Sequence, residues 1–259
     1  MARALRSIRR TEEEFTVILS GKKSRKVNGL YKPESREIIL HNKNFKGDNE
    51  LMYTAIHEYA HHIQFTTSAA PMSVRTHTTA FWSLFHSLLF EAEAKGAYSN
   101  PFDGIEEFRL LTREIKEKFI TASGSLMKDL GKLLIKAHEL CDSHGVSFSD
   151  YLDRILGLPR TSAQAIMKAQ TFDLDPRIGF ENMRSLAAMR DGRTRAAAQE
   201  ALMDGKSPDM VKERFASRRK PDEAREILIA ERGKVERTIK RLKAKLAEID
   251  SRIQKLDAE

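Results

Sequence analysis

What the chain lacks narrows it first. It has a single cysteine, Cys141, which excludes an intrachain disulfide and any cysteine-based metal cluster. The expected place of Cys141 is that of a small buried apolar residue. No run approaches the roughly 20 consecutive apolar residues that span a bilayer. The basic start, Met1 to Arg10, passes straight into Thr11-Glu12-Glu13-Glu14 without an apolar signal core. The expectation is therefore a cytoplasmic protein with no membrane partner. The one tryptophan, Trp82, is most simply a core residue. With 259 residues, 41% hydrophobic and 32% charged, the chain has room for one large domain or two modest ones and a helix-rich composition.

Against that background one short string stands out. His57-Glu58-Tyr59-Ala60-His61 places two imidazoles one helical turn apart with a carboxylate beside the first. Positions i and i+4 share a helix face, so both rings can reach one metal ion, in the HExxH arrangement of a zinc hydrolase. Glu58 points to the side, where it can take a proton from water as general base. Chance produces this spacing in about one chain in a hundred of this length. The context strengthens it: Leu51, Met52, Ala55, Ile56, Tyr59, Ile63 and Phe65 supply apolar positions, and Asp48 or Asn49 offers an N-cap.

A hydrolytic zinc site needs a third protein ligand. His77 follows the polar stretch Thr66 to Thr76, read as a loop, and would sit in the first turn of a second helix running through Phe81-Trp82-Ser83-Leu84-Phe85 to Phe90. It is the candidate third ligand. Its rivals are Glu91 and Glu93 near the end of that helix. His62 points about 100° away from the metal face, as a surface or supporting histidine, and His86 has a structural role.

The string from His57 to His61, then a loop, then His77-Thr78-Thr79-Ala80-Phe81-Trp82, resembles the pattern of SprT-like and related minimal zincin metallopeptidases. Upstream, Gly29-Leu30-Tyr31-Lys32-Pro33 and Arg36-Glu37-Ile38-Ile39-Leu40-His41 read as two strands joined by a Pro-Glu-Ser turn. That is similar to the strand pair before the metal helix in SprT-like and ImmA-type proteins. The resemblance covers about residues 1–100. It implies that His57, His61 and His77 bind Zn²⁺ and that Glu58 is the catalytic base. The chain departs from the family in lacking a zinc-ribbon module.

Beyond residue 100 the pattern is helical. Ile105 to Leu140 carries Phe108, Leu111, Ile115, Phe119, Leu126, Leu130, Leu133, Leu134 and Ala137 mostly three or four apart, as one long helix or a pair broken near Ser123-Gly124-Ser125. The segment Ser147 to Leu156, the break Gly157-Leu158-Pro159-Arg160, and Thr161 to Gln170 resemble a helix-turn-helix. In that reading Arg160, Thr161, Ser162, Gln164 and Lys168 face nucleic acid; ordinary helix packing is the alternative. The net charge of +8 favours polyanions, and residues 1–46 hold 12 Lys or Arg against 5 Asp or Glu. Such a surface could equally bias a nearby active site toward acidic substrates. Finally, Leu228, Val235, Ile239, Leu242, Leu246, Ile249, Ile253 and Leu256 form the a/d seam of a coiled coil interrupted only by Arg232, with Asp204 to Lys220 as a hinge. The seam needs a partner, a second copy of the chain or the Ile105 to Leu140 helix.

The expected architecture is α+β, mostly α. A zincin-like domain (1–100) with a short sheet and an HExxH helix precedes a connecting helix or helix pair (101–146), a helical region (147–220) and a coiled coil (221–259). The expected function is zinc-dependent hydrolysis of a protein or peptide substrate, with a strand around Ile38 to Leu40 offering an edge to it. Two other classes remain: a DNA-associated regulator joining a zincin to a helix-turn-helix, and a non-catalytic coiled-coil adaptor with a structural metal.

Overall fold

The computed structural model describes residues 1–67, 76–215 and 221–256, the side chains of 221–228, 230–231, 234, 251–252 and 254–256 excepted. The chain divides into two compact units, Met1–Phe215 and Ala216–Glu259.

The first unit opens with α1 (Ala2–Ile8), whose Leu5 and Ile8 are buried. Three short strands follow: β1 (Thr16–Leu19), β2 (Gly29–Lys32) and β3 (Glu37–Leu40). β2 and β3 form the expected antiparallel hairpin, with Tyr31 opposite Ile38. Arg36 closes the turn at a φ of 53°, the left-handed region. β1 was not anticipated, and it pairs in parallel with β3, giving the order β1-β3-β2. β3 is therefore the central strand, and its backbone is paired on both sides. The expected substrate edge at Ile38 to Leu40 is corrected by this finding: β1 and β2 are the edges.

α2 (Asp48–Thr67) starts where Asp48 and Glu50 complement the helix dipole, and includes both residues named as N-cap candidates. α3 (Thr79–Ala94) is capped by Thr78, whose hydroxyl accepts from the Phe81 N–H. Alternate residues of the sheet and the inner faces of both helices share one core. Ile38 and Leu40 meet Ile56, Tyr59 and Ala60 of α2 and Phe81, Phe85 and Leu88 of α3, all fully buried. That packing seats α2 on β2 and β3 and sets α3 beside α2.

The long helix is continuous. α4 (Glu106–Ile115) runs through a π-helical stretch, Lys116–Thr121, into α5 (Ala122–Ser143). It does not break at Ser123-Gly124-Ser125, because Gly124 serves a close approach: a Cβ there would lie 2.5 Å from the Pro176 carbonyl. Cys141 is buried, as expected. The next segment is helical from α6 (Phe148–Asp150) through a π turn, Tyr151–Leu156, and turns at Gly157 in the left-handed conformation before α7 (Arg160–Thr171). Leu152, Ala163 and Ile166 pack with Leu134 of α5. α8 (Phe180–Ala187), α9 (Gly192–Met203) and α10 (Pro208–Phe215) complete the unit. α10 packs on α3, and the His86 ring bonds Ser207 at 2.7 Å. Much of the expected hinge, Asp204 to Lys220, is thus packed helix; residues 216–220 lie outside the described residues.

In the second unit, α11 (Pro221–Leu256) is a single helix. Val235, Ile239, Leu242, Leu246, Ile249 and Ile253 on it are exposed; the Leu228 and Leu256 side chains lie outside those described. Among the described residues no helix is long and apolar enough to cross a membrane.

Candidate metal centre

Helical spacing delivers His57 and His61 to one face of α2, and the start of α3 returns His77 to meet them. The His57 and His77 Nε2 atoms are 3.0 Å apart, and those of His61 and His77 are 3.1 Å apart. One ligand atom from each of the three rings lies within 4.8 Å of the others. A tetrahedral cation with Zn–N bonds of about 2.05 Å requires N···N edges of roughly 3.3 Å. The donor set therefore fits a small divalent metal with three imidazoles. His77 precedes the helix rather than occupying its first turn, since Thr78 is the cap. The polar loop before it falls on residues 68–75, outside the described residues, while Thr66 and Thr67 belong to α2.

Burial tunes these groups. It lowers His57 and His61 to about 4, with neighbouring histidines adding to the effect. Both rings are therefore neutral near pH 7, as ligation requires. Burial raises Glu58 to about 7, opposed by the Tyr31 N–H that donates to its carboxylate. A carboxyl poised near neutrality can both accept and return a proton.

The rival ligands are elsewhere. Glu91 is ion-paired with Arg9 and bonded by Ser87, which holds its carboxyl below the ordinary value. Glu93 borders a separate recess with His86 and Asn100. His62 is fully buried, not at the surface. Its ring bonds the Tyr31 hydroxyl at 3.1 Å and the Glu13 carbonyl at 3.2 Å, pinning α2 to β2 and to the chain before β1. Trp82 is half-buried and stacks on the His77 ring, with centroids 5.5 Å apart. Phe81 stacks on His61 at 4.3 Å. The aromatic pair after His77 thus orients the ligands as well as filling space.

Several site residues were not singled out from the sequence. A cleft of about 580 Å³ runs along the histidines, walled by Glu58, Tyr53 and Thr54 of α2 and by β2. The His41 N–H donates to Asn28, which by antiparallel alternation leaves the main-chain groups of Gly29 and Tyr31 on the free edge beside Glu58. Gly29 permits that approach: a Cβ would stand 2.8 Å from Thr54 and 2.9 Å from the Glu58 carboxylate. A glycine at a strand start was the available signal, but nothing in the sequence said which element would press on it. Gln64, one turn beyond His61, is the other addition. Its amide donates to the Thr76 carbonyl at 3.2 Å.

The loop from Gly21 to Asn28 leads into this edge with Lys22, Lys23, Arg25 and Lys26. It is held in place by Asn42, which accepts from the Gly21 N–H, and by Asn44, which bonds Ser24 and the Asn28 side chain. By contrast, Arg160 and Arg154 of the helix-turn-helix candidate are tied by Asp153 and Asp150, while Thr161, Gln164 and Lys168 are exposed.

No protein-family model matches the chain, and neither a curated protein nor a solved structure matches it.

Proposed function

We propose that the protein is a zinc-dependent peptidase. One observation carries the reading: three imidazole nitrogens converge within reach of one cation, and a buried carboxylate tuned to about 7 lies in the same cleft. A bound Zn²⁺ would supply Lewis acidity to a scissile carbonyl and ease deprotonation of the attacking water. His57, His61 and His77 would hold the ion through their ring nitrogens. Glu58 takes the proton from water as the new C–O bond forms. It then gives that proton to the amine nitrogen as the C–N bond breaks.

The outer edge of β2 suits an extended polypeptide, because the Gly29 main chain and the Tyr31 carbonyl can extend the sheet onto it beside the carboxylate that the Tyr31 N–H bonds. The four cations of the Gly21 to Asn28 loop flank that edge and bias it toward acidic segments. α11 would pair its seam with that of a second copy, making the protein a homodimer. The nucleic-acid reading has less to stand on, since Arg160, the one arginine it places on nucleic acid, is engaged by Asp153.

The test joins elemental analysis to a peptide-library cleavage assay on wild type, Glu58→Gln and His77→Ala. The expected result is one zinc per chain in wild type and Glu58→Gln, loss of metal in His77→Ala, and cleavage by wild type alone. Full activity of Glu58→Gln removes that residue from the mechanism. Wild type that takes up no zinc removes the centre itself.

A further inference from the structure

Two buried polar atoms near the candidate metal centre have no partner in ordinary hydrogen-bond geometry: His61 Nδ1 and Gln64 Oε1. They belong to residues i and i+3 on α2, which face each other across one turn. Their chemistry is complementary. A neutral imidazole carries one N–H and one bare nitrogen, and an amide oxygen only accepts. His61 Nε2 is the nitrogen that meets His77, so a cation there requires the ring proton on Nδ1. That proton then needs an acceptor, and the Gln64 oxygen needs a donor.

The other end of the same amide is engaged. Gln64 Nε2 donates to the Thr76 carbonyl, which also accepts from the Thr78 N–H at 3.1 Å. Thr76 and Thr78 flank His77 on either side. One side chain thus reaches a ligand on α2 and the backbone that presents the ligand before α3. A leucine at 64 would fill the same volume and do neither.

We propose that Gln64 is a positioning residue: its amide oxygen locks His61 in the Nδ1–H tautomer with Nε2 bare, while its amide nitrogen holds the backbone carrying His77 over the same point. The second half rests on the metal-centre reading given above. The first half concerns the ring alone and stands apart from it. Groups that orient a metal-binding histidine through its second nitrogen generally matter to metal affinity by about 10- to 100-fold.

Long-range ¹H–¹⁵N NMR of the imidazoles in metal-free protein tests the first half. His61 should be the Nδ1–H tautomer in wild type and in Gln64→Glu, which keeps the acceptor, and should become mixed or Nε2–H in Gln64→Leu. Zinc affinity by chelator competition tests the second. Gln64→Leu should bind about 10- to 100-fold more weakly, and Gln64→Glu should fall between, having lost the donor to Thr76. Unchanged tautomer and affinity in Gln64→Leu overturn the proposal. If that variant does not fold, an Nε2–H tautomer in wild type overturns it as well. Wild type that binds no zinc yet keeps the Nδ1–H tautomer would sink the metal centre and leave the hold of Gln64 on His61 intact.

Discussion

α2 and α11 meet the same requirement in opposite ways. Each carries an apolar stripe at helical spacing. On α2 the stripe is consumed within the fold: Ala55, Ile56, Tyr59 and Ala60 are fully buried, and Ile63 nearly so. The polar groups carried beside that stripe, Glu58 and His61, are buried with it and acquire shifted proton affinities. On α11 the stripe from Val235 to Ile253 is 44–58% exposed. An apolar stripe states that a face is to be covered. Whether the cover comes from the same fold determines whether neighbouring polar residues enter a low-dielectric setting where chemistry can be tuned.

The largest test of this contrast removes a core residue that also supports the site. Phe81→Ala deletes a fully buried ring stacked on His61 and should cost about 3–5 kcal/mol in denaturant melts. Leu242→Ala on α11, at 57% exposure, should leave the same melt within about 0.5 kcal/mol when measured at low protein concentration. If α11 pairs with a second copy, the same change should instead lower the dimer fraction in sedimentation at high concentration. Equal losses in both variants at low concentration would erase the distinction between the two helices.

An intermediate effect is expected from Gly29→Ala. The added methyl meets Thr54 and the Glu58 side chain at under 3 Å, so β2 or the carboxylate must move, at about 1–3 kcal/mol. Peptide hydrolysis should fall by more than the loss of folded protein accounts for. Zinc content should stay at the wild-type level, because no ligand is touched.

The pH dependence of the metal-free protein sharpens the electrostatic half of the comparison. His57 and His61 have folded values near 4 against an ordinary 6.5, so the unfolded chain binds more protons between those limits and stability is lost as pH falls from 6.5 to 4. Glu58 has a folded value near 7 against 4.5, so its contribution runs the other way and is lost as pH rises from 4.5 to 7. Two histidines oppose one carboxyl. Urea midpoints in chelator should therefore rise from pH 4.5 to 6.5 in wild type, and rise more steeply in Glu58→Gln. Parallel profiles for the two proteins would mean that Glu58 is not held in its protonated form.

The smallest effect concerns the basic loop. Replacing Lys22, Lys23, Arg25 and Lys26 by serine should leave zinc content and stability nearly unchanged and weaken cleavage of acidic peptides a few-fold at low salt, with the difference fading as salt rises.

Local pattern settled a good deal of this molecule. The i, i+4 rule placed His57 and His61 on one face, and helical geometry makes that follow from the sequence alone. The β2–β3 hairpin, the helices around Gly157 and the apolar repeat of α11 were legible for the same reason: each is a property of a few neighbouring residues. The meeting of His77 with the other two rings required α2 and α3 to pack side by side, which local spacing suggests and cannot impose. The remaining decisions depended on residues far apart in the chain. β1 joined β3 and turned the supposed edge strand into the centre of the sheet. Gly124 became a contact with Pro176 instead of a helix break. The buried side of His62 was set by Tyr31 and the Glu13 carbonyl, and that of Glu58 by the approach of β2 at Gly29. Periodicity fixes direction within an element, whereas burial, and with it the proton affinity of a carboxylate or an imidazole, belongs to whatever the fold brings against it.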